Sequence, residues 1–285
     1  MKPQYALVAL LLSTCPAHAA PPNIKTKTVA PEHSAALSII LNSFDYKEDF
    51  PPPGKSTESG WIYGMALRYT FKGGTDLPLY GRVQFDFSPS ETEYGSNETD
   101  AFGRSTDFTE TTQNWFSRFE CDAGYVFHNV GNSSVDLIPY TGYGYRFWRR
   151  DLSGHNDLMG YMEDYSWSYL PIGVKGDMKI GRNWLVGLDV AMHIMVSGSI
   201  YIRLEQYNNP TLTLGNLPGW YVAAPVGYRT ASGWGAGLTF WYEYSAIGKS
   251  NESPHVILGR QEAWIYEPAS RTHQFGFMFT GLYSF

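Results

Sequence analysis

From His33 to the end of the chain, apolar and polar side chains alternate with a period of two, the signature of strands with one apolar face. The alternation predicts ten strands, at roughly 33–45, 60–72, 79–88, 113–127, 135–149, 163–180, 184–204, 217–229, 234–248 and 271–285. One parity is apolar almost without break. The second strand gives Trp61, Tyr63, Met65, Leu67, Tyr69 and Phe71. The seventh gives Trp184, Val186, Leu188, Val190, Met192, Ile194 and Val196. The connections alternate too. Those at 72–78, 128–134, 181–183 and 230–233 are short, whereas 46–59, 89–112, 150–162, 205–216 and 249–270 are longer and polar. Pro171 and Pro225 fall inside proposed strands, where they cannot donate to a ladder.

The fold class this predicts is all-β, a ten-stranded antiparallel transmembrane β-barrel. No stretch reaches the roughly 18 consecutive apolar residues that a spanning helix needs. Within lipid every backbone polar group must be paired, so a sheet survives there only when closed on itself. An even strand number, with short turns at one end and long loops at the other, resembles the arrangement of bacterial outer-membrane barrels. Trp61, Trp115 and Trp220 begin descending strands at the outer rim, and Trp184 and Trp234 begin ascending strands at the inner rim. Indoles at both interfaces would form two aromatic girdles. In the last strand Phe275, Phe277, Phe279, Tyr283 and Phe285 share one face. Phe279, Tyr283 and terminal Phe285 resemble the C-terminal signature by which the barrel-assembly machinery recognises its clients.

The N-terminus reads as an export signal. Lys2 is a short positive region, Ala6–Leu12 an apolar core too short to span, and Ala17-His18-Ala19 a small-x-small cleavage pattern. Residues 1–19 are therefore the expected signal peptide, 20–32 a Pro-containing periplasmic lead-in, and 33–285 the barrel. A buried N-terminal strand and lipidation at Cys15 are the competing readings. Cleavage leaves 20 basic against 27 acidic residues, and Cys121 alone, so no intramolecular disulfide and no metal-ligand spacing. The acidic balance argues against a nucleic-acid partner. No cofactor motif is present.

The opposite, inward parity collects charge. Arg68, Arg82, Arg118, Arg146, Lys175 and Arg229 face Asp86, Glu120, Asp122, Asp177, Asp189 and Glu243, with His193 among them. Isolated charges in a narrow lumen are costly and paired ones tolerable, so an equal number of each sign predicts an internal ion-pair network that fills the barrel. A selective pore would more often carry an excess of one sign. Barrels near eight strands are filled by side chains, and open channels arrive at about sixteen.

Two segments, YTGYGYR at Tyr140–Arg146 and YLPIGVKGDMKI at Tyr169–Ile180, resemble the fifth and sixth strands of the omptins, surface proteases on ten-stranded barrels. That resemblance implies an Asp pair in the second outer loop and Asp-x-His at the fourth. Residues 89–112 contain no Asp-x-Asp, and 196–206 neither Asp nor His, so no catalytic residue carries over. Ser153-Gly154-His155-Asn156-Asp157 holds triad residue types too close in sequence to form a triad without a special fold, and His255 has no evident partner. The second outer loop is acidic, with Glu91, Glu93, Glu98, Asp100, Asp107 and Glu110 against Arg104. This reads first as a hydrated surface facing lipopolysaccharide through divalent cations, and second as a surface for a basic ligand. Three functions follow as expectations: a non-enzymatic surface, structural or ligand-binding barrel; a narrow channel for small solutes; and an omptin-like surface hydrolase.

Overall fold

The computed structural model describes residues 29–50, 54–99, 105–152, 160–204, 209–257 and 260–285. The expected signal peptide, Cys15, and most of the lead-in lie outside them, as do residues 153–157 of the third outer loop.

Among the described residues fourteen strands follow in order: β1 (Glu32–Glu48), β2 (Ser56–Lys72), β3 (Leu79–Thr99), β4 (Ser105–Tyr125), β5 (Val135–Leu152), β6 (Tyr161–Ile180), β7 (Trp184–Arg203), β8 (Thr211–Thr213), β9 (Gly215–Asn216), β10 (Pro218–Arg229), β11 (Trp234–Gly248), β12 (Ser253–Ile257), β13 (Arg260–Ile265) and β14 (Ser270–Ser284). Ten of them form the barrel. The ring runs β1-β2-β3-β4-β5-β6-β7-β10-β11-β14 and closes where β14 pairs β1, all neighbours antiparallel. At the seam His33 and Phe285 exchange backbone hydrogen bonds of 3.0 and 3.3 Å, and their rings stack at 5.7 Å. Closure leaves no edge strand to be capped.

The apolar parity faces out. Trp61, Trp184, Trp220 and Trp234 are each at least half exposed, as are Met65, Leu67, Leu188 and Phe279. Trp115 is partly covered. In water such an exterior would be an aggregation surface, whereas in a bilayer it is the solvated one. The spacing of the two expected girdles can be measured along one strand. Trp184 lies opposite Tyr228 of β10, and Trp220 is eight residues up that strand. Eight residues rise about 27 Å along the strand, close to the roughly 25 Å band of such barrels once tilt is included.

Several strands run well past that band. A spanning strand needs about 9–11 residues, yet β3 and β4 have 21 each and pair from Leu79–Tyr125 to Thr99–Ser105. The segment read from sequence as outer loop 89–112 is thus mostly hairpin. Its alternation is hidden because, above lipid level, neither face need be apolar. The 249–270 connection likewise carries the β12–β13 hairpin. Strand β10 is short, and β8 and β9 complete the wall above it by pairing β7 and β11.

Both flagged prolines sit in the wall, each with one ladder interrupted and the register kept. Pro171 pairs His193 on the β7 side, while the β5 side skips from Thr141–Ile172 to Gly144–Tyr169. Pro225 pairs Thr239, while the β7 side skips from Ala223–Asp189 to Val226–Val186. A different irregularity, one extra residue at Val196, shifts the register of β7 against β6. Beyond it Ile200 and Ile202 turn inward, onto Leu212 and Leu214.

Candidate functional site

The inward parity builds the lumen in layers, and height is read along β4 and β5. Lowest are Lys72, Asp136 and Asp177. The Lys72 ammonium lies 2.9 Å from Asp136 and 3.1 Å from Asp177, and Lys175 is 3.4 Å from Asp177. Above them Arg82 is surrounded by three carboxylates. Its Nε donates to Asp122 at 2.6 Å, Nη2 to Glu120 at 2.8 Å and Nη1 to Asp189 at 3.2 Å. Tyrosine hydroxyls donate to two of the same acids, Tyr140 to Asp189 and Tyr169 to Glu120, both at 2.6 Å.

Next comes a layer centred on Glu243. It accepts from Arg118 at 3.2 Å and from Arg146, and His193 Nδ1 is 3.7 Å away. Arg118 also donates from Nε to Asp86 at 2.6 Å, and Gln84 donates to Asp86 at 2.9 Å. Strands β4 and β11 stand five places apart in a ring of ten. The Arg118–Glu243 pair is therefore a strut across the full width of the barrel. Arg82–Asp189 joins strands four places apart. The cavity between these two layers, walled by Arg82, Arg118, Glu120, His193 and Tyr221, is about 10 Å³, scarcely enough for one water.

Above the Glu243 layer lies a cavity of about 90 Å³, with Phe116, Trp148, Trp167 and Trp241 in its wall and Arg118 and Glu243 at its floor. The Trp241 indole N–H is buried without an acceptor. An aromatic stack continues upward: Phe116 on Trp148 at 5.4 Å and Trp148 on Tyr165 at 4.9 Å, with Tyr46 edge-on to Trp148 at 5.1 Å.

The outer mouth is closed by a second cluster. Arg150 is 1% exposed and meets Glu163 at 2.6 Å, Glu58 at 2.9 Å and Glu48 at 3.6 Å. Its guanidinium also lies 5.0 Å from the Tyr46 ring centre and 5.1 Å from Trp148. A fourth carboxylate comes from Glu267, in the connection between β13 and β14. It accepts from Tyr165 at 2.8 Å and Tyr46 at 3.3 Å. Burial, together with nearby Glu48 and Glu163, pushes the Glu267 carboxyl well above the usual carboxylate range. Asn114 ties the cluster to the stack, donating to Glu58 at 2.6 Å and accepting from Trp148 at 2.6 Å. Among the described residues no group of three or more His, Cys, Asp or Glu is arranged to hold a metal.

Of the charges singled out from sequence, the two central layers bring together Arg82, Glu120, Asp122 and Asp189, and Asp86, Arg118, Arg146, His193 and Glu243. Lys175 and Asp177 belong to the lowest layer. Arg229 pairs instead with Glu32 at the rim, 2.7 Å, and Arg68 meets no carboxylate among the described residues. The equal count of signs does not hold layer by layer, since Arg82 alone serves three acids. Sequence reading missed Lys72, Asp136, Glu48, Glu58, Arg150, Glu163 and Glu267. Parity alone could have found Glu163 at the head of its strand. It could not have found Glu267, which lies in a connection. The side chain of His255 lies outside the described positions; among the described residues the charged groups of the mouth cluster are Arg150, Glu48, Glu58, Glu163 and Glu267.

No protein-family model matches the sequence, and no curated protein matches it. The chain is similar in structure to the outer-membrane protease OmpT of Escherichia coli, with TM-score 0.58 and 10% identity over 90% of this chain and 96% of that one. The fold is that of a bacterial outer-membrane barrel. Lower overlap is found with OprG of Pseudomonas aeruginosa (TM-score 0.34, 9% identity, 90% and 96% covered) and with a major outer membrane protein of Thermus thermophilus (0.36, 14%, 88% and 99%). At such identities the likeness is one of fold. The two segments resembling omptin strands lie side by side here, as β5 and β6.

Proposed function

We propose that this chain is an integral protein of the bacterial outer membrane, exported by the signal peptide at 1–19, whose lumen does not conduct. It acts at the cell surface through its outer hairpins, as a structural or ligand-binding barrel. The observation that carries this reading is the Arg118–Glu243 strut above the three-acid Arg82 layer, with a cavity of only about 10 Å³ between them. A hydrated ion cannot pass such a gap unless buried charge pairs separate, which costs several kcal/mol for each ion left unpaired, roughly 3–5.

Its lipid contacts are the apolar band and the girdle tryptophans, with lipopolysaccharide around the acidic outer hairpin and the assembly machinery engaging Phe279, Tyr283 and Phe285. The test is single-channel recording on full chain refolded into planar bilayers. The expected trace is flat for the native protein, with steps emerging for the Arg82→Ala/Arg118→Ala double variant. Resolved steps from the native protein would make it a narrow channel instead.

A further inference from the structure

The short-turn end of the lumen holds a separate cavity of about 210 Å³, and its charge is unlike that of any other layer. Six cationic side chains line its wall: Arg68, Lys72, Lys175, Lys179, Arg182 and Arg229. Arg82, already held by its three carboxylates, forms the closed end. The acids are few. Asp177 is shared by Lys72 and Lys175, Asp136 takes the other side of Lys72, and Glu32 holds Arg229. Arg68, Lys179 and Arg182 have no carboxylate partner among the described residues.

Two of the other buried clusters run the opposite way, with three acids on Arg82 and four around Arg150, and the Glu243 layer sets two arginines against two acids. A surplus of three cations converging on one space is thus a local reversal. Arg68 is half-buried on β2, and β6, which brings Lys179, stands four places around the ring. Lys179 and Arg182 are exposed at the rim, close to the girdle residue Trp184. A half-buried guanidinium without a counter-charge is unfavourable, and a guanidinium fork matches a phosphate in bidentate fashion. The roof prevents passage, so whatever enters from this end is held.

We propose that this vestibule binds a phosphate-bearing anion, with Arg68 as the inner contact and Lys179 and Arg182 as the rim contacts. Asp177 and Glu32 act as positioning residues that hold Lys72, Lys175 and Arg229 against the wall. The phosphate could belong to a soluble molecule or to the headgroup of an anionic phospholipid in the adjoining leaflet, and the two are separable by experiment.

The full chain, refolded in a non-ionic maltoside micelle at low salt, is titrated with inorganic pyrophosphate by calorimetry. One saturable site is expected. The Lys179→Gln/Arg182→Gln variant, altered only at exposed positions, should bind at least about ten-fold more weakly. Arg68→Gln should do the same. If that variant fails to refold, the rim variant decides. The titration is then repeated in phosphatidylcholine vesicles with and without phosphatidylglycerol. Loss of pyrophosphate binding only where phosphatidylglycerol is present assigns the site to a headgroup, and equal binding in both assigns it to a soluble anion. Absence of saturable binding in micelles, or equal affinity in the rim variant, overturns the proposal.

Discussion

Replacing Glu243 by Gln keeps the side chain's shape and removes its charge, at a position 3% exposed. At 3.2 Å, and with the effective dielectric of about 20 that suits protein interiors, the Arg118–Glu243 attraction alone is worth about 5 kcal/mol before desolvation is counted. Arg118 retains Asp86 after the change, but Arg146 retains no carboxylate among the described residues. The rings of Tyr169 and Trp167 stay beside it, with centres at 5.2 and 5.8 Å. Two guanidiniums and His193 then share a buried space in which Asp86 is the remaining carboxylate. Removal of one partner from a buried pair costs about 3–5 kcal/mol, a large share of the roughly 5–15 kcal/mol that holds a folded protein together. The measurement is a urea transition in detergent micelles, followed by Trp fluorescence in both unfolding and refolding directions. The midpoint should fall with little change in slope. A second variant, Arg146→Met/Glu243→Met, removes both partners and leaves Arg118 on Asp86. It should be clearly more stable than Glu243→Gln, because apolar groups replace the pair without stranding a charge. A loss below about 1 kcal/mol for Glu243→Gln, or a double variant no better than the single, would refute the view that the strut is a desolvated ion pair.

Three further outcomes are expected. Gly144 lies under the buried Tyr169 ring, whose hydroxyl holds Glu120 at 2.6 Å; Gly144→Ala should cost about 1–3 kcal/mol by overpacking, seen as a lowered urea midpoint. Glu267 binds its proton more tightly when folded than when unfolded, with Glu48, Glu163, Arg150, Tyr46 and Tyr165 around it. Its favourable contribution is complete below the ordinary carboxylate range and is lost as pH rises through its elevated folded value. Thermal scans should therefore show Glu267→Gln flattening the loss of stability between mildly acidic and alkaline pH, and an unchanged slope would count against the shift. Cys121 is exposed on the lipid-facing parity, opposite Val83 and Tyr143. A fluorophore placed there should be quenched by nitroxide-bearing acyl chains and spared by a water-soluble quencher.

The barrel was legible because lipid imposes one rule on every strand. From Trp61 to Tyr69, or Trp220 to Tyr228, each second residue must be apolar, and five such positions on a strand suffice to set its parity. Above that level the rule lapses. Thr92, Thr112 and Asn114 are buried inside the outer hairpin wall while Glu91 and Glu93 face water, so polar residues occupy both sides and the period disappears although the ladder continues. The central charges were visible as inward residues, but their partners were not. Arg118 and Glu243 are 125 positions apart, and only ring closure brings them together. Glu267 has no parity to read. The bulge at Val196 exchanges the faces of β7, which a strict alternation cannot anticipate.

The strut also bears on how the barrel enters the membrane. Arg118 and Glu243 each lie in the spanning part of a strand, and an arginine or lysine facing acyl chains near the midplane costs about 2–4 kcal/mol. Inserted one at a time, β3, β4 and β5 would each expose such a group, Arg82, Arg118 and Arg146, and β11 would expose the carboxylate of Glu243. The β3–β4 hairpin pairs Arg82 with Glu120 and Asp122 and Arg118 with Asp86, but Glu243 meets Arg118 and Arg146, and Asp189 meets Arg82, only once strands from distant parts of the chain have met. The cheapest route keeps the polar lumen intact throughout, so that a nearly closed cylinder crosses the lipid as a unit. Insertion and closure then become one event, and the last seam to zip, between β1 and β14, sets its timing.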